Sequence, residues 1–387
     1  NPTAATYLDN GTALGGVLVE DVTALNLQPR LDASLVVDPG TIVKFDGARI
    51  ETRMGGQLVA EGHVGHEIVF TSLQDDRYGA GGSYDTSNQL ANSVAERGDW
   101  GGLLIGALGE LSLDHAVVSY AGGITKMDGS FAGVNPVELH QATARITNTT
   151  FEQNASGVGG QANANRFGRG SNAPGSIFVR GSQPIIVSST FQHNDSSAIN
   201  INLNSLNGEL VSDWGRSTSL SDAIPGFEDN RGPLVRMNRL ADNGGIDGSG
   251  VRTGANGMIV RGGTLTTEGV WDDTDIVHVI VDETMIVPDR HTFGGLSLRS
   301  GASESLVVKL LGTNAGFRAE GRPLDISDRI GGSIHILGQP RFPVILTSLQ
   351  DDSVGAGLTP DGALQQDTDN GDAESGGSPG GLLPTGP

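Results

Sequence analysis

Cysteine is absent, which removes disulfides, zinc thiolate sites and thiol catalysis together. The absence does not fix a compartment, since extracellular proteins can also do without disulfides. Basic residues are scarce: 24 Lys and Arg stand against 45 Asp and Glu, giving a formal charge of −21 and a pI near 4.6. Such a surface repels phosphate backbones and anionic lipid, so nucleic acid is excluded as a partner. No apolar run is long enough to cross a membrane, and Asn1 opens the chain without the charged and apolar regions of a leader, so no membrane insertion is expected. No stretch keeps a helical period for three turns. Aromatic residues are only 5%, with three Trp and four Tyr, which leaves little to stack against sugar rings.

What the chain does contain is glycine, 59 of 387 residues, and short bursts of Val, Ile and Leu at regular intervals. A chain of this length exceeds one ordinary core, so the composition points to an elongated body that grows by repetition. Thin coils of that kind are expected to place small aliphatic residues inside and glycine at every corner. The organising stretch is Gly55-Gly56-Gln57-Leu58-Val59-Ala60-Glu61-Gly62 followed by Glu67-Ile68-Val69-Phe70-Thr71-Ser72-Leu73-Gln74-Asp75-Asp76. A near-copy, Gly331-Gly332-Ser333-Ile334-His335-Ile336-Leu337-Gly338 and Pro343-Val344-Ile345-Leu346-Thr347-Ser348-Leu349-Gln350-Asp351-Asp352, lies 276 residues later (347 − 71). Trp100-Gly101-Gly102-Leu103-Leu104 is answered in the same way by Pro379-Gly380-Gly381-Leu382-Leu383. This internal copying predicts a piece of a longer, tandemly repeated parent.

Three later segments superpose: Leu111 to Val118, Ala144 to Phe151 and Pro184 to Phe191. Asn154 and Asn194 each follow the phenylalanine by three places, which predicts Phe stacked on Phe inside and an asparagine ladder at a corner. The expected organisation is a lead-in or cap over 1–33, a strand-built body over 34–352 and a flexible Gly/Asp-rich tail or inter-repeat segment over 353–387. Long polar loops are expected at 77–98 and 157–173.

The motifs Gly55 to Gly62, Ile68-Val69-Phe70-Thr71-Ser72 and Gly98-Asp99-Trp100-Gly101-Gly102-Leu103 resemble right-handed parallel β-helix proteins, the pectate-lyase-like repeat fold found in very large secreted or surface-attached bacterial proteins. The resemblance spans about Ser34 to Asp352 and implies an all-β solenoid, a secreted or cell-surface bacterial location and, as one alternative, a polysaccharide-binding or polysaccharide-cleaving enzyme. A lyase or hydrolase needs converging carboxylates and a base. The candidates are Asp75-Asp76, Asp272-Asp273, Asp275 and Asp351-Asp352, with Arg261 and His278 as bases, but paired acids also cap strand ends, and no set of acids on successive coils can be read.

Hard oxygen ligands suit calcium, and Asp75, Asp76, Asp85, Asp351 and Asp352 are the candidate ligands. Asp367-Thr368-Asp369-Asn370-Gly371-Asp372 imitates the start of a calcium loop but lacks the glycine at the sixth place. Histidines have no metal spacing, and Gly248-Ser249-Gly250 sits in a loop without a nucleophile-elbow context. The expectation is therefore a non-catalytic structural module of an extracellular bacterial fibre or surface protein, assembling head to tail with other copies of itself or neighbouring repeats. The alternatives are the polysaccharide enzyme and an adhesin domain that uses the long loops.

Overall fold

The computed structural model describes residues 33–78, 94–127, 129–158, 170–217, 230–244, 255–289, 295–321 and 332–371. Asp85, Ala13 to Glu20, Pro323 to Ile326 and Pro379 to Leu383 lie outside these residues. The described chain is all-β, with a 3-10 turn at Leu203–Ser205. Its strands are short because each apolar burst is stopped by a glycine, a proline or a polar corner.

Five parallel sheets form. The first holds β1 (Ala33–Val37), β4 (Gly56–Glu61), β7 (Glu110–Asp114), β12 (Thr143–Thr147), β15 (Ile185–Val187) and β18 (Leu234–Arg236), in that order. The second holds β2 (Ile42–Phe45), β5 (Ile68–Ser72), β8 (Ala116–Ser119), β13 (Thr150–Glu152), β16 (Thr190–Gln192) and β19 (Arg239–Ala241). The third is nine-stranded: β3 (Ile50–Thr52), β6 (Leu103–Ile105), β11 (Val137–His140), β14 (Ile177–Arg180), β17 (Ile199–Asn202), β20 (Met258–Arg261), β23 (His278–Val281), β26 (Leu306–Leu311) and β29 (Val344–Ser348). A fourth holds β22 (Gly269–Trp271), β25 (Leu296–Arg299) and β28 (Ile334–Leu337), and a fifth β21 (Gly263–Thr264), β24 (Thr284–Val287) and β27 (Gly316–Ala319).

The chain visits the first three sheets in turn, so each set of three strands makes one tier that pairs with the tiers on either side. The hairpin β9 (Ile124–Met127) and β10 (Ser130–Gly133) leaves the third tier as an antiparallel excursion. The overlaid segments stack as their sequences predict: Leu113, Ile146 and Ile186 share one register column, and Val118, Phe151 and Phe191 another. The Phe151 and Phe191 rings lie 4.9 Å apart and 4° from parallel. One continuous apolar cluster, from Leu58 to Val308, draws on all five sheets.

After the sixth tier the first two sheets stop while the third continues, and the fourth and fifth take their places. The copied block appears in this new frame. β28 repeats β4 and β29 repeats β5, but β4 and β5 belong to the first and second sheets whereas β28 and β29 belong to the fourth and third.

The expectation of glycine at every corner is corrected. In tiers three to six the turn from the first to the second sheet is made by His115, Asn148, Ser188 and Met237, with φ of 45°, 49°, 54° and 53°. The next corner uses Tyr120, Gln153, His193 and Asp242, again at positive φ. Such conformations are uncommon for residues with a Cβ, and their repetition shows that stacking of neighbouring tiers imposes them.

Each of the last three of these second corners is followed by an asparagine. The Asn154 side-chain amide donates to Asn194 Oδ1 at 2.9 Å, Asn194 to Asn243 Oδ1 at 2.8 Å, Asn243 to Asn256 Oδ1 at 3.1 Å and Asn256 to Asn370 Oδ1 at 2.7 Å. The last rung ties residues 353–371 to the body. This segment, expected to be a flexible tail, lies along the free edge of β19: Leu240 N–H donates to the Leu358 carbonyl at 2.8 Å, and Asn256 N–H to the Thr368 carbonyl at 2.7 Å. An uncovered edge strand would expose unpaired backbone, and the returning segment satisfies it. Residues 372–387 are outside the described structure.

Asn194 also accepts the Asn154 backbone N–H at 3.1 Å and donates to the Phe151 carbonyl at 3.0 Å. Asn194→Ala leaves several buried groups unpaired and is expected to cost about 3 kcal/mol of unfolding free energy in denaturant titration; a loss under about 0.5 kcal/mol would show that the ladder is not structural.

Candidate functional site

The two Leu-Gln-Asp-Asp motifs form the same structure at opposite ends of the body. Thr71 Oγ1 donates to Asp75 Oδ2 at 2.6 Å, and Thr347 Oγ1 to Asp351 Oδ2 at 2.6 Å. Asp75 Oδ1 accepts the Arg77 backbone N–H at 3.1 Å, and Asp351 Oδ1 that of Ser353 at 3.0 Å. A lysine from the preceding tier closes each turn: Lys44 Nζ donates to the Asp75 carbonyl and Lys309 Nζ to the Asp351 carbonyl, both at 2.7 Å. Burial works against the Asp75 carboxylate, but hydrogen bonds from Arg77 and Thr71 outweigh it and hold the group below its ordinary range. Ser353 and Thr347 do the same for Asp351. These carboxylates are strand-end caps whose oxygens are already engaged by their own chain.

The candidate calcium ligands therefore do not form one set, since Asp75 and Asp76 stand at one end and Asp351 and Asp352 at the other. Asp352 does meet Asp367 and Asp369, with one oxygen from each within 4.8 Å of the others. The buried Lys309 ammonium faces the same acids and also donates to the Gln366 carbonyl at 3.2 Å. A positive charge of the chain itself thus stands beside the three carboxylates.

The second acidic run, Asp272-Asp273 and Asp275, lies where the first sheet ends. The N–H of Arg231 donates to Asp272 Oδ1 at 3.2 Å, that of Val235 to Asp273 Oδ1 at 3.2 Å, and that of Met237 to Asp275 Oδ2. The three side chains replace the strand that would otherwise pair with β18. Burial raises all three carboxyls, Asp272 to about 6, and the neighbouring Asp272 raises Asp273 further.

Neither proposed base faces these acids across a groove. His278 occupies the inner column of the third sheet between Met258 and Val308, fully buried, its ring 5.1 Å from Trp271 and 13° from parallel. Burial drops its pKa to about 3, and the Ile276 backbone offsets little of that. Arg261 lies over the Phe178 ring at 4.3 Å and donates to the Val179 carbonyl at 2.7 Å; burial, then the nearby Arg180, pull it to about 9.

Another ionic cluster among the described residues lies on the outward face of the first sheet. Glu61, Asp114 and Thr147 share one register column on β4, β7 and β12, and Arg145 lies two residues before Thr147. The segment 211–217 reaches back across these strands. Asp213 grips the fully buried Arg145 guanidinium bidentately at 2.7 and 3.0 Å. Arg216 pairs with Asp114 and donates to the Gly62 carbonyl at 2.9 Å, while Ser217 donates to Glu61 through its N–H at 2.7 Å and its Oγ at 2.9 Å. Glu61 and Asp114 are two carboxylates on adjacent strands, as a glycosidase would require. Both are engaged by Arg216 and Ser217, so the arrangement acts as a clasp. Sequence reading missed it because its members lie up to 156 residues apart; the one signal was Arg145, a lone charge inside an otherwise uncharged strand.

Arg216→Met removes the cationic partner of the buried Asp114 carboxylate, which keeps the neutral donors Thr147 and Asn148, and is expected to cost about 3 kcal/mol in denaturant unfolding; a loss below about 1 kcal/mol would show that the arm is held otherwise. His278 is neutral in both states above pH 6.5, but below it the unfolded chain takes a proton that the folded chain refuses until about pH 3. Its contribution to stability therefore falls by about 1.4 kcal/mol per pH unit in that window. His278→Leu should flatten the fall between pH 6 and 4, and an unchanged profile would contradict the burial of a neutral imidazole.

No known family model, curated protein or solved structure matches this chain.

Proposed function

We propose that the chain is a non-catalytic structural module, a right-handed parallel β-helix that forms part of an extracellular bacterial fibre or surface protein and assembles head to tail. The single observation that carries this reading is the rebuilt block. The lysine that closes on an aspartate carbonyl, with the threonine that caps the same aspartate, occurs at Lys44, Thr71 and Asp75 and again at Lys309, Thr347 and Asp351. A body that rebuilds one of its own blocks with the same strand-to-strand register, though in different sheets, supports the reading of a periodic stack. The right hand follows from the general preference of parallel crossover connections. The conspicuous acids support the same reading, because Asp75, Asp351 and Asp272 to Asp275 finish strands and sheet edges.

Electron microscopy of the native material should show rods or filaments, each tier adding about 4.8 Å of length. Incubation with acidic polysaccharides, with and without chelator, should produce no unsaturated sugar absorbance. Globular particles, or chelator-sensitive product formation, would overturn the proposal.

A further inference from the structure

Resting on the structural-module reading, the geometry points to one docking surface: the open edges of β28 and β29 receive β1 and β2 of a second copy of this chain, in parallel. Equivalent positions in the two copies of the block carry the argument. Ala60 and Phe70, on β4 and β5, are fully buried, with Leu113 and Val118 of the next tier opposite them. Their counterparts 276 residues on, Ile336 and Leu346, are 55% and 41% exposed (336 − 60 and 346 − 70). The other end shows the converse. Leu35 pairs with Leu58 as Leu296 pairs with Ile334, and Ile42 with Val69 as Val307 with Ile345. Leu296 and Val307 are buried in the stack, whereas Leu35 and Ile42 are 45% and 38% exposed.

Among the described residues, one end thus lacks the tier that should lie above it and the other the tier that should lie below. All the ladders concerned are parallel, so a second copy displaced along the stack and turned about its axis by one sheet, so that its first sheet continues the fourth and its second continues the third, meets the first with strand polarity preserved. The interaction is strand addition on an exposed edge, with apolar side chains facing one another behind it. It is heterologous and does not close on itself, so it propagates. The continuing register places Leu35 opposite Ile334, Val37 opposite Ile336 and Val43 opposite Leu346, with Val36 opposite His335 on the outer face. A charge of −21 on each copy opposes association at low salt and is screened as salt rises.

The absence of cysteine makes the register directly testable. Full chains carrying Val36→Cys and His335→Cys are mixed in about 150 mM salt, where the Debye length is about 8 Å, and oxidised. The expected product is a covalent heterodimer at least tenfold more abundant than from Val36→Cys mixed with Leu364→Cys, which lies on the returning segment. Alongside, Ile336→Asp combined with Leu346→Asp should keep the parent melting temperature and weaken self-association at least tenfold in sedimentation. Heterodimer no more abundant than the control, or undiminished association of the Asp variant, overturns the docking surface. If the parent chain then still associates, another surface is used and the module reading survives; a parent that stays single in sedimentation and microscopy sinks both.

Discussion

An extended strand cannot satisfy its own backbone whatever its length, and that constraint governs the rest. A segment of two to six residues buried in a sheet has N–H and C=O groups on both edges, and each unpaired group costs about 1–3 kcal/mol. In the five parallel sheets the tiers before and after supply the partners. The asparagine ladder, the strained corners and the capping carboxylates are consequences, because each keeps successive tiers at one spacing. The corner residues show the balance of terms: His115, Asn148, Ser188 and Met237 all accept a left-handed conformation so that the ladders on either side stay in register.

The same constraint explains how the molecule treats its edges. Where the first sheet stops at β18, three aspartates stand in for a strand, and where the second stops at β19, the chain after β29 comes back to pair with it. The acidic composition is thus partly a structural device. A carboxylate accepts an edge N–H without offering a backbone that could extend the sheet, so internal edges are closed to strand addition. The ends of the body are treated differently, since Leu35, Ile42, Ile336 and Leu346 keep apolar side chains turned to the edge.

Much of this was legible in the sequence where the signal is local. Strand lengths, the stacking of Val118, Phe151 and Phe191 and the Asn154 to Asn194 rung follow from spacing, because superposed tiers put equal positions over one another. The ladder's continuation was less visible: Asn243 follows Leu240 rather than a phenylalanine, and Asn370 belongs to the returning segment. The change of frame after the sixth tier left no trace, since a strand's composition does not depend on which sheet receives it. The ionic clasp was hidden because Glu61, Arg145 and Arg216 meet only when an arm folds back across three tiers. Charge alone misdirected the search for a site. Asp272, Asp273 and His278 read as acids and a base, yet burial and backbone donors give the acids an edge to cap and the histidine a place in the core.

Amide hydrogen exchange, resolved by strand, tests the stacked-tier account most directly. If each tier is held by its neighbours, protection is greatest in β12 to β16, whose tiers are covered on both sides, and declines toward β1 at one end and β28 and β29 at the other. Uniform protection across all tiers, or slowest exchange at the two ends, would contradict it.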